Sequence, residues 1–248
     1  MSKTETGHSI NVANFESLIS CVVGYGKTYN PTNEFIKLST LQSTLAGAKA
    51  SIKAVNTAQA EFSSAIAARE VAFSPLSKLA TRIINALKAT SSTQQVDEAA
   101  KSLVRKIHGE RASQKLTEEE KKALNDSGKE VKEISASQMG YDNRLENFNK
   151  LISLLSAIPQ YTPNEEDLKV SALTTHYNNL YTLNQNVINS ATVLSNARIA
   201  RNNILYIEDS GLLNAAGSVK LYIKSIYGAT SPEFKHVSKI AFRGNGVN

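Results

Sequence analysis

A Gly-Lys-Thr triplet is the first place in this sequence where residue types and spacing could perform chemistry. The stretch 24–28 reads Gly-Tyr-Gly-Lys-Thr and follows an apolar run, as do loops that hold nucleotide phosphates with backbone N–H groups and a lysine. Such loops need another glycine five residues before Gly26, and Cys21 stands there. No alternation of strands and helices follows. We therefore interpret the stretch as a helix end capped by glycine and expect no bound cofactor.

Metal binding and nucleophilic catalysis need clusters of side chains, which the sequence does not suggest. The single cysteine, Cys21, lies near the apolar side of a predicted helix, which favours a buried thiol over a nucleophile. No carboxylate pair and no Ser-His-Asp set stands out. We predict no metal site, no catalytic residue and no enzymatic activity. The four histidines lie far apart without ligand spacing: His8, His108, His176 and His236.

Two arginines occupy positions where a helical face should be apolar. Arg69 and Arg201 lie near the ends of two long predicted helices. A buried guanidinium must be paired or solvated, so we predict a structural ion pair for each arginine. Glu16 is the candidate acid for Arg69 and Glu146 for Arg201, and backbone carbonyls at a helix end are the other choice. The alternative is that both arginines contact an acidic partner.

Basic residues collect near the C-terminus, although the formal charge of +6 is otherwise spread along the chain. Cations interleaved with aromatic rings can bind single-stranded nucleic acid or an anionic membrane surface. Tyr222 and Tyr227 also adjoin an apolar helical stripe, so core packing explains them, and a solvated helix face explains the cations. Phe234 also lies between these cations in the sequence. The candidate contacts for an anionic partner are Lys220, Lys224, Lys235, Lys239 and Arg243.

Helices are the elements that must position these residues. Ala, Leu and Lys are abundant and prolines number five, which favours helix. Two long helices are predicted over 32–74 and 164–210, because apolar residues recur every seven positions, as at Leu173, Leu180 and Leu194. A hairpin break near Asn56 and near 182–184 is the alternative. The predicted fold is an all-α, elongated helical bundle.

The sequence also repeats itself. Residues 14–20 match 147–153 at five of seven positions, and 29–41 match 161–173 at six of thirteen. The spacing between matched residues stays at 132 or 133 positions, which indicates duplication of a structural unit. Both copies contain a Tyr-x-Pro loop after their first helix.

The repeat predicts how the chain is organised. Two tandem, pseudo-equivalent helical units, 10–108 and 143–244, are expected to pack as one bundle. Residues 109–142 form a charged linker between them. Within it, Thr117 and Glu120 have the spacing of a capping box, which predicts a short helix over about 117–125.

Three stretches, 142–148, 195–201 and 223–231, are similar to those of uncharacterised bacterial helical proteins with no assigned activity. They read Asp-Asn-Arg-Leu-Glu-Asn-Phe, Ser-Asn-Ala-Arg-Ile-Ala-Arg and Ile-Lys-Ser-Ile-Tyr-Gly-Ala-Thr-Ser. The resemblance covers most of the chain and implies a bacterial origin. It implies no activity and no role for any residue.

These patterns favour a non-enzymatic structural or protein-interaction protein that presents helical faces to a protein partner. Residues 1–9 have no apolar core of a signal peptide, and no run of 18 apolar residues occurs, so we expect a cytoplasmic protein without a membrane span. The alternative is a nucleic-acid-associated helical protein that uses the basic C-terminal segment. Salt-sensitive retention on nucleic-acid columns would distinguish the two.

Overall fold

The chain folds into α-helices. The computed structural model describes residues 3–110 and 140–244, together with Lys122 and Asp126. About 80% of the described residues are helical, and none of them forms a strand. The predicted all-α fold class is confirmed.

The connections before the two longest helices contain single 3-10 turns. These turns are Gly26–Thr28, Glu34–Ile36 and Glu166–Leu168. The helices are α1 Lys3–Gly24, α2 Leu38–Phe73, α3 Leu76–Lys88, α4 Gln94–His108, α5 Tyr141–Ser156, α6 Val170–Tyr206, α7 Leu212–Tyr227 and α8 Pro232–Ser238.

The predicted linker falls mostly outside the described residues. The short helix expected over 117–125 lies there too, apart from Lys122. At the far end of the predicted linker, Tyr141 and Asp142 already belong to α5.

The two long helices are continuous. Helix α2 has 36 residues and α6 has 37, so each extends for about 55 Å at 1.5 Å per residue. The alternative break near Asn56 and near 182–184 does not occur. The heptad residues Leu173, Leu180 and Leu194 are buried, as their spacing predicted.

Two compact units divide the chain. The first, which we call the terminal unit, contains Met1–Ser63 and Ser190–Asn248, and the second, the central unit, contains Ser64–Asn189. Each unit therefore takes part of α2 and part of α6. The compact units cut across the predicted repeats 10–108 and 143–244, because tertiary packing joins the first part of one repeat with the last part of the other.

The core of the central unit lies among α3, α4 and α5. Helix α3 buries a stripe of apolar side chains, which includes Leu76, Ile83 and Leu87. Ile107 of α4 and Phe148 of α5 are also fully buried in this core. Since these side chains recur at helical spacing, each helix turns one apolar face inward.

The core of the terminal unit joins α1 to α7 and α8. Phe15 and Leu18 of α1, Val219 and Ile223 of α7, and Val237 of α8 are all buried without measurable exposure. The same apolar spacing predicted α1 and α7 from the sequence.

Each unit contains a buried tyrosine that closes the loop before a long helix. The Tyr29 hydroxyl donates to the Ile36 carbonyl at 2.7 Å, and the Tyr161 hydroxyl donates to the Leu168 carbonyl at 3.0 Å. Burial disfavours the phenolate, so it raises the pKa of both phenols, and that of Tyr161 reaches about 12.

The turn between α6 and α7 requires glycine at position 211. The Gly211 N–H donates to the Ile207 carbonyl at 2.9 Å. A β-carbon at this position would lie 2.7 Å from that carbonyl oxygen and 2.9 Å from the Ile207 nitrogen. Because both neighbours are backbone atoms, they cannot move aside without changing the turn.

We expect Gly211→Ala to lower the free energy of unfolding by about 1–3 kcal/mol through this clash. Gly217→Ala is the matched control, because Gly217 lies in α7 with no atom within 4 Å of the added carbon. The control should stabilise the protein by about 0.5–1 kcal/mol, since alanine is the better helix former. Urea unfolding followed by circular dichroism measures both. Equal effects of the two substitutions would contradict the tight turn.

The raised pKa of Tyr161 predicts a loss of stability at high pH. Between about pH 10 and 12 the unfolded chain loses the phenolic proton while the folded chain keeps it, so rising pH favours unfolding. Tyr161→Phe should cost about 1 kcal/mol at pH 8 and make stability fall less steeply above pH 10. Tyr181→Phe is the control, because Tyr181 is 49% exposed. Urea unfolding from pH 8 to 11.5 tests this, and an unchanged steepness in Tyr161→Phe would contradict it.

Candidate functional site

The Gly-Lys-Thr triplet is the end of a helix. Helix α1 ends at Gly24, and the Tyr25 N–H donates to the Cys21 carbonyl at 3.1 Å. Gly26 has a φ of +55°, which glycine adopts without strain. Lys27 lies in the short 3-10 turn that follows and is exposed. The interpretation as a helix end is therefore confirmed, and the backbone here does not form a phosphate-binding loop.

The histidines take structural positions in separate parts of the chain. His108 packs near the Ser77 carbonyl, with its Nε2 3.0 Å from that oxygen. His176 lies edge-on to Phe148, and burial lowers its pKa. Cys21 is half-buried, and burial raises the pKa of its thiol. Among the described side chains, no three of His, Cys, Asp or Glu converge as metal ligands.

Arg69 is held by an aromatic ring and an amide. Its guanidinium lies over the Tyr141 ring, 3.9 Å from the centroid, and its Nη1 donates to Asn184 Oδ1 at 2.9 Å. The Asn184 amide then donates to Asp142 Oδ1 at 2.7 Å. Asn184 thus connects Arg69 to Asp142, the acid that compensates the charge of Arg69. Glu16, the acid we predicted, pairs instead with Lys49 at 2.6 Å.

Arg201 is 3% exposed and lies near the end of α6. Its Nε and Nη2 donate to Asn202 Oδ1 at 3.2 and 3.0 Å. The acid that we predicted for it, Glu146, pairs with Lys150 one turn along α5. Both predicted acids are engaged by lysines because a lysine lies within reach on a neighbouring turn or helix, which residue types alone do not reveal.

The cations of the basic C-terminal segment do not form one uniform surface. The Lys220 ammonium donates to the Ile240 carbonyl and lies 5.2 Å from the centre of the Phe242 ring, and burial lowers its pKa. Lys220 therefore connects α7 to the chain after α8. Lys235, Lys239 and Arg243 are exposed.

The aromatic residues of this segment are used inside the terminal unit. Tyr222 packs edge-on against Tyr29, with the ring centres 5.2 Å apart, and Tyr227 packs against Tyr25 at 5.3 Å. Phe234 lies beneath the Lys224 ammonium at 5.7 Å. These rings belong to the core, as one of the two sequence interpretations expected.

An open cleft of about 560 Å³ lies in the central unit, between the second half of α3 and the loop that joins α5 to α6. We call it the central cleft. It falls within the volume range of small-molecule and side-chain pockets. The lining is part apolar, from Ala86, Ala89 and Pro163, and part polar, and the buried Tyr161 also borders the cleft. The lining includes Arg82, Asn85, Gln160, Pro163, Asn164 and Glu165.

The cation at the mouth of the central cleft is compensated by a neighbouring carboxylate. Arg82 forms a two-pronged ion pair with Asp167, with Nη2 3.1 Å from Oδ1. This hydrogen bond lowers the pKa of Asp167 and raises that of Arg82. Glu165 adds one further carboxylate to the rim. The remaining polar groups, among them Asn85 and Asn164, are amides that can donate and accept hydrogen bonds.

The sequence did not identify the central cleft. The repeated Tyr-x-Pro pattern marked Tyr161 and Pro163, but it did not show which helix faces them. Ala86 carries no chemical signal by itself, and Arg82 resembles any surface arginine in sequence.

No family model, curated protein or solved structure matches the chain. Among the described helices, none combines the length and apolar character that crossing a lipid bilayer requires. Functional conclusions therefore depend on the geometry of the sites themselves.

The Arg69 network predicts coupled effects on stability. Asn184→Leu should cost about 1–3 kcal/mol, because it leaves a half-buried guanidinium without its acceptor. Arg69→Met should cost less, because Asn184 keeps its bond to Asp142. The double variant should show a coupling energy of about 1 kcal/mol. Arg82→Met is the control for an exposed ion pair and should lower stability less than Asn184→Leu does. Thermal and urea unfolding measure the cycle, and strictly additive costs would contradict the network.

Proposed function

We propose that this chain is a non-enzymatic protein-interaction protein and that the central cleft receives a segment of a protein partner. The observation that carries the proposal is the cleft itself. It is open, and its lining combines apolar side chains, such as Ala86 and Ala89, with three uncharged amides. Concave sites with an apolar wall and a few convergent polar groups are the usual form of a binding site.

The titratable groups of the central cleft favour binding over catalysis. General acid–base catalysis works best with a group whose pKa lies near the working pH. At the cleft, the pKa values of two groups are shifted away from neutral pH. Arg82 lowers the pKa of Asp167, and burial raises the pKa of Tyr161 to about 12. These groups therefore keep one charge state near neutral pH, which suits recognition.

The polar lining suits a peptide segment. An extended segment carries backbone N–H and C=O groups that must find partners when it is covered. The side-chain amides of Asn85, Gln160 and Asn164 offer both donors and acceptors at the mouth of the cleft.

We also propose that the two repeats, 10–108 and 143–244, arose by duplication of one helical unit. The order of elements supports this: each has a helix, a 3-10 turn directly before a long helix, and two further helices, and the first repeat has one additional 3-10 turn. The Tyr29 and Tyr161 hydrogen bonds to a carbonyl seven residues later support it as well. A cytoplasmic location fits the single free thiol of Cys21, which needs no oxidising compartment.

Nucleic-acid binding by the basic C-terminal segment is the less supported function. Single-strand binders stack bases on exposed aromatic rings, whereas Tyr222 and Tyr227 pack against Tyr29 and Tyr25. Lys220 is also engaged by the Ile240 carbonyl.

Photo-crosslinking tests the proposed function. A benzophenone amino acid at Asn164, in the cleft, should form a protein adduct in cells, and the same group at Lys101 should not. Lys101 is a matched control because it is exposed on α4 of the same unit. The partner identified from the adduct is then purified. It should bind the wild type and the control Lys101→Glu, and it should lose affinity for Ala89→Arg, which places a long cation in the cleft.

Equal cross-linking from both positions would contradict the proposal. The proposal is also contradicted if the protein is retained on single-stranded DNA or RNA with a steep salt dependence, and if Lys235→Gln and Lys239→Gln reduce that dependence. That result would establish the nucleic-acid alternative.

A further inference from the structure

The chain that follows α8 is docked onto α1 through its backbone. Residues 240–243, which we call the docked segment, form no regular structure. The Asn11 side chain binds both backbone groups of Arg243: its Nδ2 donates to the carbonyl oxygen at 2.8 Å, and its Oδ1 accepts from the N–H at 2.9 Å. Asn14 Nδ2 donates to the Ala241 carbonyl at 2.6 Å. Main-chain hydrogen bonds of this kind provide affinity when a protein binds a peptide.

Lys220 of α7 provides the third set of contacts. Its ammonium donates to the Ile240 carbonyl and lies 5.2 Å from the centre of the Phe242 ring. Helices α1 and α7 contact each other in the terminal unit, so the three side chains belong to one folded body. We call Asn11, Asn14 and Lys220 the docking site. It binds the main chain at three residues and one aromatic ring, so it selects an extended peptide with few sequence requirements.

The docking site is held in place by the folded helices. Asn11 is 0% exposed, and its Nδ2 also donates to the Tyr206 hydroxyl at 3.3 Å. That hydroxyl in turn lies 2.5 Å from His8 Nδ1. Because Tyr206 engages one hydrogen of the Asn11 amide, the other hydrogen and the oxygen are directed at the Arg243 backbone. A buried amide that loses its partners is costly, so the docking site favours an occupied state.

The docked segment itself is only shallowly buried. Ala241 and Arg243 are exposed, and Ile240 and Phe242 are half-buried. In α8, by contrast, Val237 is fully buried in the core of the terminal unit. Segments with few buried apolar contacts open locally at a much lower free energy than the core. We therefore expect the docked segment to detach while α8 stays in place.

We propose that the docking site is a peptide-binding site, which residues 240–243 occupy as an internal ligand. When they detach, the site takes an extended segment of a partner protein. That segment has the chemistry of the resident one: main-chain groups that pair with Asn11 and Asn14, and an aromatic ring beside the Lys220 ammonium. The docking site lies in the terminal unit and the central cleft in the central unit, so this inference does not depend on the proposed function.

The experiment uses the full chain and a fluorescent peptide of residues 238–244, Ser-Lys-Ile-Ala-Phe-Arg-Gly, with binding followed by fluorescence anisotropy. In the wild type, the internal segment competes with the peptide. Arg243→Pro removes the N–H that donates to Asn11 and leaves the docking site intact, so it should raise the affinity for the peptide by about tenfold. Arg243→Ala is the matched control. It keeps that N–H and removes only an exposed side chain, so its affinity should equal that of the wild type.

Altered peptides test the contacts without any change to the protein. N-methylation of the arginine nitrogen removes the hydrogen that Asn11 accepts. Alanine in place of phenylalanine removes the ring beside Lys220. Each change should weaken binding to the Arg243→Pro chain by about tenfold. Circular dichroism checks the fold of this variant, and if it does not fold, the same series of peptides is measured on the wild type.

Hydrogen exchange measures whether the docked segment detaches. The N–H of Arg243 should exchange with solvent about a hundredfold faster than that of Ile223, which lies in the core. Sedimentation of the wild type distinguishes a partner protein from a second copy of the chain. We expect no self-association, and dimers that Arg243→Pro abolishes would assign the site to a second copy and overturn the proposal.

Three further results would overturn it: no saturable binding of the peptide, equal binding of the altered and unaltered peptides, or exchange of the Arg243 N–H as slow as that of Ile223. None of these results bears on the central cleft, because cross-linking from Asn164 is measured independently in the other unit.

Discussion

The hydrogen bond from a buried tyrosine hydroxyl to a backbone carbonyl sets the geometry on which the rest of the structure depends. In each unit it joins the start of a loop to the residue just before a long helix, at Tyr29 with Ile36 and at Tyr161 with Leu168. A carbonyl buried in a loop has no helical partner and must be satisfied by some donor. The phenol provides that donor within a loop that contacts α7 in the terminal unit and α3 in the central unit. The position of the cleft wall follows from this bond.

Much of the fold could be predicted from the sequence, because local patterns determine helices. The heptad spacing and the lack of glycine and proline in 164–206 predicted one continuous helix, and α6 is continuous. The compact units could not be predicted in the same way. The long helices carry similar apolar stripes at both ends, so spacing alone does not tell which half packs with which helix. The pairing depends on the complementary shapes of side chains far apart in sequence.

The partners of the two arginines and the central cleft could not be predicted from the sequence, for a related reason. That Arg69 must be compensated follows from the cost of burying a charge. That Asn184 and Tyr141 compensate it depends on which surfaces meet. Likewise, Ala86 looks like an ordinary small core residue until α3 is placed beside Tyr161.

The division of the chain into compact units has a consequence for biosynthesis. The central unit is one continuous stretch, Ser64–Asn189, whereas the terminal unit needs both Met1–Ser63 and Ser190–Asn248. A chain emerges from the ribosome with its N-terminus first. The apolar face of α1, including Phe15 and Leu18, is therefore made first and receives its α7 partners last. During that interval this face lacks the α7 side chains that cover it in the folded protein, whereas every residue of the central unit has already been synthesised when Asn189 is added.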